Sequence, residues 1–190
     1  MRIKNSFSLI LVFLLGFSVV AGAAVRPGPV MGAGPIKDIR TRRQYIGRSF
    51  SSKMVSAHFK SEPIPLEKAI LESLSATLPR FGVKIVSVPD WDGRVQTLKQ
   101  QEPDSILKIN VQRFWTEGKV SKGNNVISTS IYLTLHLGVK KQGKVFRRDF
   151  YIIKEKTIYE FTPEEVGQTV NHVLTEIFDD FFSNPYGTQR

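Results

Sequence analysis

The stretch ILKINVQRF, residues 106–114, decides the fold. Leu107, Ile109 and Val111 alternate with Lys108, Asn110 and Gln112, a period of two that puts apolar side chains on one side of an extended chain and polar ones on the other. This is a strand with one wet face. Downstream, SKGNN at 121–125 supplies a hairpin turn, and VISTSIYLTLHLGV at 126–139 repeats the alternation. Ile127, Ile131, Leu133, Leu135 and Leu137 fall on one side, Ser128, Ser130, Tyr132, Thr134 and His136 on the other. KKQGK at 140–144 turns the chain again, and VFRRDFYIIKEKTI at 145–158 completes a three-strand antiparallel meander.

A sheet with one apolar face needs a cover, and two segments can provide it. In PLEKAILESLSATLPRFG, residues 65–82, Leu66, Ile70, Leu74 and Leu78 recur every four residues, with Ala69, Leu71 and Phe81 widening the stripe of an amphipathic helix. Pro65 suits its first turn, Pro79 helps to end it, and Gly82 suits the left-handed residue that follows. In FTPEEVGQTVNHVLTEIFDDFF, residues 161–182, Thr162 stands at the N-cap, Pro163 at the first helical position and Glu165 three residues after the cap. That is a capping box worth roughly 1 kcal/mol. Val166, Val170, Val173, Leu174, Ile177, Phe178 and Phe181 form its apolar face. The expectation is an α+β fold of two layers, with both helices on one face of a mainly antiparallel sheet. The sheet consists of the meander and one or two further strands, among them a short one in VKIVSV at 83–88.

Upstream the signals weaken. VRPGPVMGAGP at 25–35 holds three prolines and three glycines, and reads as a flexible tether over residues 24–35. An initial strand or extended segment around residues 36–40 and then a long loop follow, and the domain spans 36–184 with a tail at 185–190. The first 23 residues have the layout of a secretory leader. Arg2 and Lys4 precede a 14-residue apolar block at 7–20, and Ala21-Gly22-Ala23 offers small residues for cleavage. The block is short of the ~20 residues of a spanning helix. A periplasmic address follows, and the absence of cysteine rules out disulfides, thiolate chemistry and lipid attachment through a cysteine.

Cleavage takes Arg2 and Lys4 and no acid, so 27 bases become 25 against 17 acids, a net charge of +8. Residues 36–60 carry seven bases against Asp38, and residues 140–156 another seven against Asp149 and Glu155. Residues 157–189 carry six acids and no base. Arg40, Arg42, Arg43, Arg48, Arg147 and Arg148 are the candidate contacts for an anionic partner. Trp91, in the turn PDWDGR at 89–94, is the candidate exposed interface aromatic. Asp179 and Asp180, at a helix C-terminus that disfavours acids, are expected to be solvated. No nucleic-acid motif, no metal-ligand spacing among His58, His136 and His172, and no nucleophile or phosphate-binding motif is present, so neither catalysis nor a cofactor or metal is expected.

Asp38-Ile39-Arg40, Ile46-Gly47 and the helix AILESLSATLPRFG, followed by meander and terminal helix, resemble the YajG-like family of bacterial envelope lipoproteins across roughly residues 36–182. The resemblance implies a non-enzymatic envelope accessory protein. Its partner would be an envelope protein in a transport or assembly system, or else an anionic lipid or glycolipid surface met by the basic segments. Members of the family are typically acylated at a cysteine, and Ala21-Gly22-Ala23-Ala24 stands here in its place.

Overall fold

The computed structural model describes residues 29–41, 43–51, 54–60 and 66–184. The leader, Arg42, Pro65 and the tail at 185–190 lie outside the described residues. The meander forms as the alternation requires. Strands β6 (Ser105–Ser121), β7 (Asn124–Val139) and β8 (Lys144–Ile158) are antiparallel neighbours. Lys122 and Gly123, both at positive φ, make the first turn, and a 3-10 turn at Lys140–Gln142 makes the second. A register shift between Val111 and Arg113 adds one residue to β6. The inward set therefore changes phase, from Leu107, Ile109 and Val111 to Phe114 and Thr116, all buried.

The far edge of β6 corrects the expectation of a mainly antiparallel sheet. Three short strands run along it in series, all parallel to it: β1 (Val30–Ala33), β2 (Lys37–Asp38) and β3 (Tyr45–Ser51). Strand β5 (Lys84–Ser87) is parallel to β1, and β4 (Met54–Lys60) is antiparallel to β3. The sheet is mixed, with eight strands. Parallel neighbours have no tight turn between them to announce the pairing, and runs this short show no period.

Two further corrections follow. Residues 30–33, read as part of a flexible tether, are a strand held between β5 and β6. Pro29 and Pro35 stand just outside it, where no ladder N–H is lost. Gly32 lets the side chains of Val88 and Pro103 close over the strand, at 2.8 and 3.0 Å from where a Cβ would sit. The segment read as a long loop is the β3–β4 hairpin. It docks through Gly47, where a Cβ would fall 1.9 Å from the Thr116 carbonyl oxygen, so only glycine allows β3 this close to β6.

Helix α1 (Leu66–Thr77) buries Leu66, Ala69, Ile70 and Leu74, continues into a 3-10 turn at Leu78–Phe81 and ends on Gly82 at φ 66°. Helix α2 (Val95–Leu98) is a single turn. Helix α3 (Pro163–Ser183) starts as expected: the Thr162 hydroxyl accepts from the Glu165 N–H at 3.2 Å. The return half of the box is not made, because the Glu165 carboxylate pairs with Lys156 at 3.1 Å. Helices α1 and α3 pack on each other and share one core with Leu107, Ile109, Val111, Phe114, Ile131, Leu133 and Leu135. Both helices thus cover the same face of the sheet. A second, small core of Trp91, Leu98 and Ile106 covers one end of the other face.

Candidate functional site

Four of the arginines expected to meet an anionic partner are engaged within the molecule. Arg40 is buried, and its guanidinium donates to both Asp38 oxygens, at 2.8 and 2.6 Å, and to the Tyr45 and Phe114 carbonyls. Burial works against the charged form of Asp38, but hydrogen bonds from the Arg40 side chain and backbone outweigh it and hold the carboxyl below its ordinary range. Arg48 pairs with Glu117 at 3.0 Å, Arg147 with Asp149 at 3.2 Å and Arg148 with Asp180 at 2.7 Å. Arg43 is exposed and reaches back to the Arg40 carbonyl. The five that are described do not converge. Arg48 stands on β3, Arg147 and Arg148 point to opposite faces of β8, and Arg40 is a strut between strands.

Trp91 corrects its reading outright. It is 1 % exposed, packs with Leu98 and Ile106, and donates from Nε1 to the Arg94 carbonyl and the Thr97 hydroxyl. The two acids at the end of α3 are not merely solvated either. Asp179 pairs with Arg80 at 2.9 Å and Asp180 with Arg148. Acids of the C-terminal block are therefore answered inside the fold. The helix-facing bases of β8, Arg148, Lys154 and Lys156, reach Asp180, Glu176 and Glu165 of α3.

What remains open is the other face of the sheet. Directly opposed residues on a ladder share a side, so the pairings Arg113–Tyr132–Tyr151 and Trp115–Ser130–Ile153 define two adjacent rows across β6, β7 and β8. Tyr151 is 57 % and Ile153 55 % exposed, and among the described residues no helix lies over them. The Tyr132 and Tyr151 rings meet edge to face at 6.2 Å. At the β3 side, the Arg48 guanidinium lies 4.6 Å from the Phe50 ring centroid and 5.8 Å from that of Trp115, which fixes the tryptophan beside exposed Arg113.

The next rows are polar. Gln112 donates to the Thr134 hydroxyl, which donates to Asp149 at 2.6 Å. The row Lys108–His136–Arg147 lies beside it, under the 89–94 turn, where Lys108 Nζ donates to the Trp91 carbonyl at 2.8 Å. Burial first, then the charges of Arg147 and Lys108, push the His136 imidazole below its ordinary pKa, against the pull of Asp149. Lys108 is likewise pushed down, by burial and then by Lys37. Such a face can present flat aromatic area and guanidinium donors. Tyr132 sits on the wet side that the alternation assigned to it. Trp115, Tyr151 and Ile153 were missed: the extra residue in β6 hides the side on which Trp115 emerges, and the consecutive Tyr151, Ile152 and Ile153 leave β8 without a clean alternation.

No protein-family model matches the chain, and no curated protein matches it. Among solved structures, a Xanthomonas campestris protein of the DUF330 family matches at 13% identity and a TM-score of 0.50, over 81% of this chain and 81% of that one. A neuraminyllactose-binding hemagglutinin homolog from Helicobacter pylori matches at 13% identity and a TM-score of 0.46, over 83% and 85%. The lipoprotein GNA1162 from Neisseria meningitidis matches at 12% identity and a TM-score of 0.42, over 80% and 99%. At these identities the likeness concerns the fold alone. The DUF330 match is consistent with the helix-and-sheet order that the YajG-like resemblance implies. Among the described residues no helix is long and apolar enough to cross a membrane.

Proposed function

We propose that this chain is a non-enzymatic accessory protein of the bacterial envelope, exported by its leader, and that it docks on a protein partner of a transport or assembly system through the open face of its sheet. The observation that carries this reading is the pair of rows Arg113–Tyr132–Tyr151 and Trp115–Ser130–Ile153, which leaves tyrosine, isoleucine, tryptophan and arginine on an uncovered sheet surface. Of these, tyrosine, tryptophan and arginine are enriched where proteins meet. Direct binding of an anionic membrane is the weaker reading, because Arg40, Arg48, Arg147 and Arg148 already have carboxylate partners.

The test is in-cell photo-crosslinking with a benzophenone amino acid at Tyr151 or, on the helix side, at Gln168. An adduct with one envelope protein from position 151, absent from position 168 and lost on Ile153→Asp, is the expected outcome. Equal adducts from both positions, or none from 151, would remove the proposal.

A further inference from the structure

On the helix side of the sheet, away from the open face, a cavity of about 450 Å³ lies between the β3–β4 hairpin, the start of α1 and the first turns of α3. Small-molecule sites run from roughly 300 to 1,000 Å³. Ile46, Phe59, Phe114, Phe161, Val166 and Val170 line its interior, and every one is buried or half-buried. Among the described residues, the polar ones at its wall, His58, Lys60, Glu72 and Asn171, are all exposed and form the rim. An occupant must then be apolar along its body and polar at one end.

The rim also sets the sign of that end. Glu72 faces Lys68 at 3.8 Å, whereas Lys60 makes no ion pair among the described residues. Gly167 supplies an independent observation. It sits inside α3 on the cavity wall, where glycine is destabilising relative to alanine. It has no positive φ, and a Cβ there would meet nothing within 4 Å. Neither backbone nor neighbours require glycine at 167, and the effect of having it there is added space.

We infer that this cavity binds one linear fatty acid, with its chain among the apolar side chains and its carboxylate at Lys60. This rests on neither the partner-binding reading nor the open face, so either can fail alone. The experiment is titration of the purified full chain with the fluorescent fatty acid cis-parinaric acid, followed by competition with palmitate and, separately, with hexadecanol. Saturable binding of one probe per chain is expected, with palmitate displacing it more effectively than the alcohol and Lys60→Gln removing that difference.

Gly167→Phe should weaken binding at least tenfold without lowering the melting temperature, since the ring enters open space. Should that variant not fold, Ala69→Leu narrows the same cavity from α1. Absence of saturable binding, unchanged affinity in a folded Gly167→Phe or Ala69→Leu, or equal competition by palmitate and hexadecanol would each overturn the inference.

Discussion

Arg40 is the residue on which the N-terminal third of the molecule hangs. Its side chain is 5 % exposed and its Asp38 partner 14 %, so removing one member strands a charge where water cannot replace it. Arg40→Ala should therefore cost about 3–5 kcal/mol, read as a lowered midpoint in urea unfolding. A cost below about 1 kcal/mol would mean that the pair is effectively solvated. The acid limb gives an independent check. The Asp38 carboxyl titrates below its ordinary value of 3.8, so its stabilisation is complete above that value and is lost as pH falls through the depressed one. Asp38→Asn should show a shallower loss of stability below about pH 4 than the wild type. The triplet Asp38-Ile39-Arg40 was legible as a motif but not as a strut. The available signal is geometric, since residues two apart on an extended chain point the same way and these two bear opposite charges.

Among the elements, α3 shows how local chemistry and tertiary demand divide a sequence signal. The Thr162 hydroxyl holds the Glu165 N–H, while the Glu165 side chain leaves the cap for Lys156. Thr162→Ala should destabilise by about 1 kcal/mol in thermal unfolding. Lys156→Ala, which breaks only a half-exposed pair, should cost less. The three long strands and two long helices were legible because each repeats its period over many residues and is bounded by glycine or proline. Strand β2 falls within the segment read as extended, residues 36–40, but β1 and β3 were not legible. Each is short, and what makes it a strand is the far edge of β6 rather than any pattern of its own. The open-side position of Trp115 was missed for a related reason. Period-two reading continues in phase through Gln112, whereas the fold inserts a residue there and turns Trp115 to the open side.

For the whole molecule, the arrangement joins two sides with different chemistries. The helices, β8 and the hairpin enclose the main core, and their charges answer one another. The open side keeps its aromatics and Arg113 facing water. The acidic block at the C-terminus therefore reports an internal match between α3 and the bases of β8. The parallel edge of β6 has a consequence in time as well as in space. Gly32 pairs with Ile106, Lys37 with Asn110 and Gly47 with Thr116, so every one of these contacts closes a loop of roughly 70 residues. A chain made from its N-terminus has its first three strands ready long before their template exists. Although β3 can already pair with β4 and β1 with β5, the chain must hold the edges that face β6 unpaired until β6 has emerged and found β7. Folding should accordingly be slow for a domain of this size. In a refolding time course, backbone amides of residues 30–49 should gain hydrogen-exchange protection after those of β6 and β7, and protection of 30–49 first would contradict that order. On that order the N-terminal strands join β6 last, although they are the first strands to be synthesised.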